Sequence, residues 1–470
     1  MKLSRRDFLG GSAAFLAGCL STPAPVPPRR IKPGDLVNVA LIGCGTQGSP
    51  NLSMFLQDAR CKVTVVCDPI LEAPLYSYNA KMIGGMKPFK ARVDEAYKDN
   101  SCRMVADWRE VVADPTVDAV VICTPDHWHA IMSIAAMKAG KHVYCQKPMA
   151  LSIEEGIVMT RVAKETGVTF QVGNQGRSDP MRRTASEIIR NNVLGKAKHC
   201  RVGLPGGNGG KWGHEIAPNP APRPAHFSDA MWDLWQGPAE HWENNAYIPG
   251  IHEPMCWRWN RRYGNGMIAD FTPHEVDTMH WAMDLERTGP VALANVSASG
   301  FQENRTVYSW AADFEYDMEY ATGFTAHVMS LRDGVPRGLL YTCEEGSLGL
   351  YGKKLEIKDR NGNDIAKKVL KDWKATYRNP DSKITRLYAP KDGHSHESDF
   401  IDGILEGRQV CSECEFGHRT VTTAHLANIC IDLGLKGVKW DPVAERFAGA
   451  DAAAANRRLS VPYANGWKLI

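Results

Sequence analysis

The chain has 470 residues, 43% hydrophobic, 23% charged and 9% aromatic, and its 56 basic and 53 acidic side chains leave a net charge of +3. That balance is too even for a nucleic-acid footprint. The aromatic content and 42 glycines argue against disorder, coiled coil and filament, and no stretch approaches the ~20 apolar residues of a membrane span.

Ser4-Arg5-Arg6-Asp7-Phe8-Leu9 resembles a twin-arginine export signal, and the apolar run over residues 8–16 is too short to cross a bilayer. Leu16-Ala17-Gly18-Cys19 resembles a bacterial lipobox, with cleavage before Cys19 and lipidation of that cysteine. The expected order is a signal peptide over 1–18, a proline-rich tether over 19–34, and then an exported body in the cell envelope or periplasm. That body would touch a membrane only through its lipid anchor. Thirteen cysteines in an exported chain suggest disulfides. Here Cys44, Cys67, Cys123 and Cys145 fall in or at the ends of predicted buried strands, where cysteine acts as a small hydrophobe. Cys411-Ser412-Glu413-Cys414 is a lone pair, and no metal site is assigned to it or to Asp126-His127-Trp128-His129.

A dinucleotide-binding pattern follows. The β-branched run over 36–42 predicts a buried parallel strand and ends in Gly43-Cys44-Gly45-Thr46-Gln47-Gly48, with a helix from Pro50. The next strand, over 62–67, ends at Asp68, twenty residues after Gly48. Gly43 permits the tight turn, Gly45 admits a pyrophosphate to the backbone, and Gly48 allows close helix packing. Asp68 would accept hydrogen bonds from ribose hydroxyls and repel a 2′-phosphate, which favours NAD over NADP. Further strands over 116–123, 142–145 and 169–172 alternate with helices over 130–140 and 153–167. Such alternation predicts an α/β domain with a doubly wound parallel sheet, whose ligands lie beyond the strand C-termini. Thr124, Pro125, His127, His129, Gln146 and Lys147 all fall there.

These motifs, with Thr124-Pro125-Asp126-His127, Gln146-Lys147-Pro148 and Asp270-Phe271-Thr272-Pro273-His274, resemble the Gfo/Idh/MocA oxidoreductases. The resemblance implies a Rossmann domain (35–160), a substrate-binding α+β domain with a large, mostly antiparallel sheet (161–440), and a C-terminal arm (441–470). It implies that Lys147, Asp270 and His274 carry the chemistry, with Gln146 in place of the usual glutamate. It also implies NAD as cofactor, Thr46 and Gln47 in its cradle, and a homodimer or homotetramer. On their own terms, Asp270 and His274 lie one helical turn apart, so a carboxylate can orient an imidazole suited to proton transfer near neutral pH.

Seven of thirteen tryptophans fall between Trp212 and Trp281, in a stretch rich in Gly, Pro and His. They suit either a sugar-stacking site or an aromatic core. Asn174, Arg177, Trp257, Asp270 and His274 are the expected substrate contacts. Short apolar runs over 291–357 predict the second sheet, residues 397–436 return to helix, and 440–470 read as an extended arm. The expected activity is hydride transfer to or from a hydroxyl-bearing carbon of a sugar, sugar derivative or cyclitol. A redox-neutral NAD-dependent glycoside hydrolase and a non-catalytic sugar-binding lipoprotein are the alternatives.

Overall fold

A computed structural model describes residues 25–32, 34–73, 82–206, 219–252, 256–301, 307–332 and 334–469. The signal peptide, Cys19, Trp212 and His214 lie outside them.

The front domain alternates β1 (Val37–Ile42), α1 (Gly48–Gln57), β2 (Cys61–Cys67), α2 (Met86–Tyr97), β3 (Arg103–Val105), α3 (Trp108–Ala113), β4 (Ala119–Ile122), α4 (His129–Lys138), β5 (His142–Gln146), α5 (Ile153–Thr166) and β6 (Phe170–Gly173). The six strands are parallel in the order β3-β2-β1-β4-β5-β6. The order reverses between β1 and β4, which opens a crevice at their C-terminal ends. Both faces carry helices, so β4 and β5 are buried throughout, as their unbroken apolar sequence requires. Ser152 and Glu155 form a reciprocal capping box at the start of α5, and Gly167 in the left-handed region stops it. The sheet runs on to Gly173. The boundary placed at 160 therefore cuts α5, because β6 must pair with β5 to cover its edge.

The second unit comprises α6 (Pro180–Arg190), β7 (Ala197–Leu204), α7 (Asp229–Gln236), α8 (Pro249–His252), α9 (Gly266–Met283), β8 (Ala292–Ser299), β9 (Asp313–Glu319), β10 (Thr325–Ser330), β11 (Gly338–Cys343), β12 (Gly346–Tyr351), β13 (Lys354–Asp359), α10 (Ala366–Arg378), α11 (His396–Glu406) and α12 (Cys414–Leu433). It closes with β14 (Val438–Asp441), β15 (Arg446–Ala448) and α13 (Ala452–Asn456). Nine strands form one sheet in the order β13-β12-β11-β7-β10-β9-β8-β14-β15, antiparallel except for the β7–β10 pair. The segment 397–436 is two helices. Gly407 ends α11 in the left-handed region, and a short loop separates it from α12.

Two sequence expectations are corrected. Residues 440–470 are not simply an arm: β14 and β15 extend the second sheet and bury Trp440 and Phe447. The described part of the tether is docked, with the Val26 backbone N–H donating to Lys138 O at 2.9 Å. Arg29 makes a two-pronged contact with the buried Asp118 carboxylate, one arm at 2.6 Å, and anchors the proline-rich segment where solvation alone would leave it free.

All twelve described cysteines are free and buried. Six histidines are buried in their neutral form, their pKa pushed down by burial to about 3 (His127, His252) or about 4 (His129, His142, His280, His425). An unfolded chain takes up these protons near the ordinary value of 6.5, whereas the fold refuses them until well below it. Each therefore withdraws up to about 1.4 kcal/mol of stability per pH unit between about 6.5 and 4. Buried Glu155, raised to about 7, and Asp126 act in the opposite direction, but are outnumbered. The melting temperature is expected to fall steadily over that window in thermal scans; a flat profile would contradict the buried neutral assignments.

Candidate active site

One cleft of about 440 Å³ runs along the C-terminal ends of β1, β4 and β5 toward α9. Gly43, Gly45, Thr46, Gln47, Asp68, Thr124, Pro125, Gln146 and Lys147 line it, as do Trp257 and Asp270. The glycine turn is built for contact with the backbone. Gly43 has φ +99, and a Cβ there would stand 2.7 Å from the Cys123 carbonyl. A Cβ on Gly48 would lie 2.1 Å from Gly43 O, so Gly48 sits under the turn as its packing glycine and not in the cleft wall. Helix α1 begins at Gly48, two residues before the expected Pro50, and brings the positive end of its dipole to the turn. Asp68 is buried at the end of β2. Its carboxylate accepts from Cys44 N at 2.7 Å and Ile70 N at 2.9 Å.

The cleft has unmet hydrogen-bonding capacity in the right places for a dinucleotide. Thr124 Oγ1 and Gln146 Oε1 line the cleft and are buried without partners. Both amide atoms of Asn174, which follows β6 beside Gln146, are buried without partners too, but Asn174 is not among the cleft-lining residues. Buried polar groups are rarely left so, and the two that line the cleft mark where a ligand completes the set. The glycine cradle, Asp68 and these orphan groups fit NAD.

Helix α9 supplies the other wall. Lys147 Nζ donates to Asp270 Oδ1 at 2.8 Å and to Asp270 O at 3.2 Å, and Arg258 approaches Asp270 Oδ2 at 3.4 Å. Burial by itself would raise the Asp270 pKa, but Lys147 and Arg258 outweigh it and hold the carboxyl well below the usual range. His274, one turn along, packs its ring against Phe271 at 5.7 Å between centroids. Burial first, then repulsion from Lys147 and Arg337, pushes its pKa well below 6.5 and leaves a neutral imidazole. His274 is not among the cleft-lining side chains; Phe271 lies between, its ring faced by Lys147 at 5.9 Å and Arg337 at 4.7 Å.

Three expected contacts have other work. His127 is buried with Nε2 against Trp235 O at 3.0 Å, and its ring turns away from the cleft. His129 bridges Pro148 O (2.7 Å) and Thr124 O (2.9 Å), tying the ends of β4 and β5 together. It positions cleft residues without lining the cleft. Arg177 is fully buried: it grips Asp277 bidentately at 2.7 and 2.8 Å and Glu286 at 2.6 Å. It is a structural hub linking β6 to α9. Arg177→Met is expected to cost about 3–5 kcal/mol by stranding the buried Asp277, with KM unchanged. Chemical denaturation and steady-state kinetics would check this. A stable variant with a raised KM would restore the substrate role.

The tryptophans divide. Trp232, Trp259 and Trp281 are core, whereas Trp235 and Trp257 face the cleft together with His252. The sequence reading missed Trp108, Trp128 and Arg258 in the same wall. Only the Trp257-Arg258 adjacency hinted at the last, whose guanidinium lies 4.1 Å from the Trp257 ring. Among the described residues, no group of three or more His, Cys, Asp or Glu is placed to hold a metal ion.

Comparison with known proteins bears on the fold and the cofactor domain. Residues 37–174 match the oxidoreductase family with an NAD-binding Rossmann fold, Gfo/Idh/MocA. The 1,5-anhydro-D-fructose reductase of Ensifer adhaerens is 27% identical over 199 residues, 42% of this chain and 47% of its own length. The NAD(+)-dependent scyllo-inositol 2-dehydrogenase of Bacillus subtilis is 36% identical over 118 residues, 25% and 34% of the two chains. The matched segment thus spans less than half of either relative. A levoglucosan dehydrogenase solved with NADH and L-sorbose shares the fold at a TM-score of 0.56 and 19% identity, over 86% of this chain and 99% of that one. Residues 37–174 thus carry the NAD-binding Rossmann fold of the Gfo/Idh/MocA oxidoreductases.

Proposed function

We propose that the protein is an NAD(H)-dependent oxidoreductase that moves a hydride to or from a hydroxyl-bearing carbon of a sugar, sugar derivative or cyclitol. The observation that carries this reading is the Lys147–Asp270 ion pair, with neutral His274 one turn along, at the end of a cleft whose other end is a dinucleotide cradle. The substrates in the relatives' names, an anhydrosugar and an inositol, support a polyhydroxylated ligand.

The nicotinamide, when bound, supplies the hydride chemistry. Gly43, Gly45 and the start of α1 would hold the pyrophosphate, Asp68 the adenosine ribose, and Thr124 and Gln146 the remaining polar edges. Lys147 Nζ donates to the reacting oxygen and stabilises its developing negative charge. Asp270 fixes the lysine in place. His274 is neutral, and its unprotonated ring nitrogen accepts the hydroxyl proton once Phe271, which stands between it and the cleft, turns aside. Trp257 offers an aromatic face to the C–H face of a sugar ring.

Export by the twin-arginine route, lipidation at Cys19 and assembly into a homodimer or homotetramer are part of the same proposal. The first two rest on the motifs at Arg5-Arg6 and Leu16–Cys19, and the assembly on the family resemblance. An envelope enzyme would retain its cofactor and regenerate it within a turnover or with a second substrate.

The test is a panel of neutral sugars and cyclitols added to the NAD-loaded protein, with the reduced nicotinamide read by its absorbance. Reduction by at least one member supports the proposal. Release of free sugar from an aryl glycoside without net NADH would move the protein to the redox-neutral hydrolases; a glycosyl hydrolase family 109 protein of Shewanella pealeana is among its relatives. Neither outcome from a folded, NAD-loaded chain would refute an oxidoreductase role toward carbohydrates.

A further inference from the structure

A second cavity of about 700 Å³ lies back to back with the reaction cleft across the Asp126–Trp128 turn: Asp126 and Trp128 line the cleft, and His127 lines the cavity. Its size falls within the range of about 300–1,000 Å³ usual for small-molecule pockets. The start of α5, the segment before α9, the inner face of α12 and residues 458–463 enclose it.

Its chemistry is that of a site for hydroxyl groups. Of the three lining cations, Arg261 is paired bidentately with Asp432 at 2.8 and 2.8 Å, Arg262 reaches Glu240 at 3.4 Å and Arg458 lies 3.9 Å from Asp432. With Glu155, the lining holds three cations and three carboxylates, so no charged ligand is called for. Two polar atoms of lining residues are buried without a partner, His127 Nδ1 and Arg262 Nη1. His127 is 1% exposed, and an unmet ring nitrogen at that depth is costly unless something in the cavity answers it. Trp310, Tyr463, Leu151 and Ala239 add apolar surface between the polar groups. Convergent donors and acceptors on apolar walls, with balanced charge, suit a neutral polyol better than an ion or a lipid.

We infer that this cavity is a second ligand site, separate from the reaction cleft, for a neutral polyhydroxylated molecule such as a sugar or cyclitol. The choice of carbohydrate rests on the proposed function; the site itself does not. Its floor is tied to the catalytic strand. Glu155 accepts from Leu151 N at 2.6 Å and Ser152 N at 3.2 Å, and Tyr463 donates to Glu155 Oε1 at 2.6 Å, a few residues beyond Lys147.

The full chain, labelled with fluorotryptophan and loaded with NAD, allows the two sites to be read separately. Trp310 reports the cavity and Trp257 the cleft, each resonance assigned by substitution with phenylalanine. Titration with glucose and with myo-inositol is expected to shift the Trp310 resonance saturably, and Lys147→Ala should not prevent it. Ala239→Tyr, which fills the cavity from a lining position, should abolish the shift; Ser460→Tyr, at the rim, should do the same and serves if the first variant fails to fold. A Trp310 resonance unmoved by both probes would overturn the inference. So would a shift that survives both filling variants, or one that follows protein concentration and so reports a second copy. Hydride transfer without a Trp310 shift would sink the second site alone, and a Trp310 shift without any hydride transfer would sink the proposed function alone.

Discussion

Lys147→Ala lowers turnover about a thousandfold while the chain keeps its dinucleotide. The lysine is the cation nearest the expected reacting oxygen, and removing one positioned charge or proton donor from an enclosed site typically costs about 10²–10⁴ in rate. Its loss also leaves Asp270 buried with Arg258 as the remaining nearby cation, so the carboxyl should titrate higher than in the parent protein. The acidic limb of the pH–rate profile should therefore move upward in the variant. In the parent, that limb should lie well below 6.5, because His274 stays neutral there. Single-turnover reduction of bound NAD measures the rate, and release of nucleotide on denaturation measures occupancy. A variant within about tenfold of the parent rate would remove Lys147 from the chemistry without touching the fold.

Gly48→Ala empties the cofactor cradle. The added methyl would sit 2.1 Å from Gly43 O, inside any tolerable contact, and the contacting atom is backbone. The turn cannot retreat, because Gly43 is already held against the Cys123 carbonyl by the close approach of β1 and β4. Either α1 tilts away from the sheet or the turn deforms, and both misplace the amides that face the pyrophosphate. Overpacking of this kind costs about 1–3 kcal/mol in stability. The effect on NAD should be larger, because the cradle is the site that suffers. The expected result is a folded protein, lower in melting temperature, that purifies without nucleotide. Wild-type occupancy in the variant would show that the turn is not the cradle.

Much of this architecture was legible because it is local. Strand, glycine turn, helix and terminal acid lie within residues 36–68, and the reversal of strand order follows from the alternation that continues through β6. Asp270 and His274 were legible for the same reason, being one turn apart on a single helix.

What escaped depends on contacts between distant segments. Arg177 looked like a substrate contact because it follows a strand in the crevice, yet its partners Asp277 and Glu286 lie about a hundred residues further on. His127 and His129 read as a polar turn at the cofactor. His127 sits in the tight turn Asp126–Trp128 and His129 opens α4, and both rings ended against carbonyls of distant backbone. The β14–β15 hairpin was lost to brevity: four residues alternating buried and exposed carry too little signal to separate a strand from an extended arm.

The central claim is that the front domain holds NAD as a working part of the protein. The chain, begun near Ser21 so that the docked Val26 and Arg29 are kept, and purified without added nucleotide, should be denatured and the released dinucleotide identified by mass spectrometry. The account predicts NAD(H) in stoichiometric amount. NADP(H) in its place would overturn the reading of Asp68, and a chain that emerges empty and also fails to take up NAD would contradict the account itself.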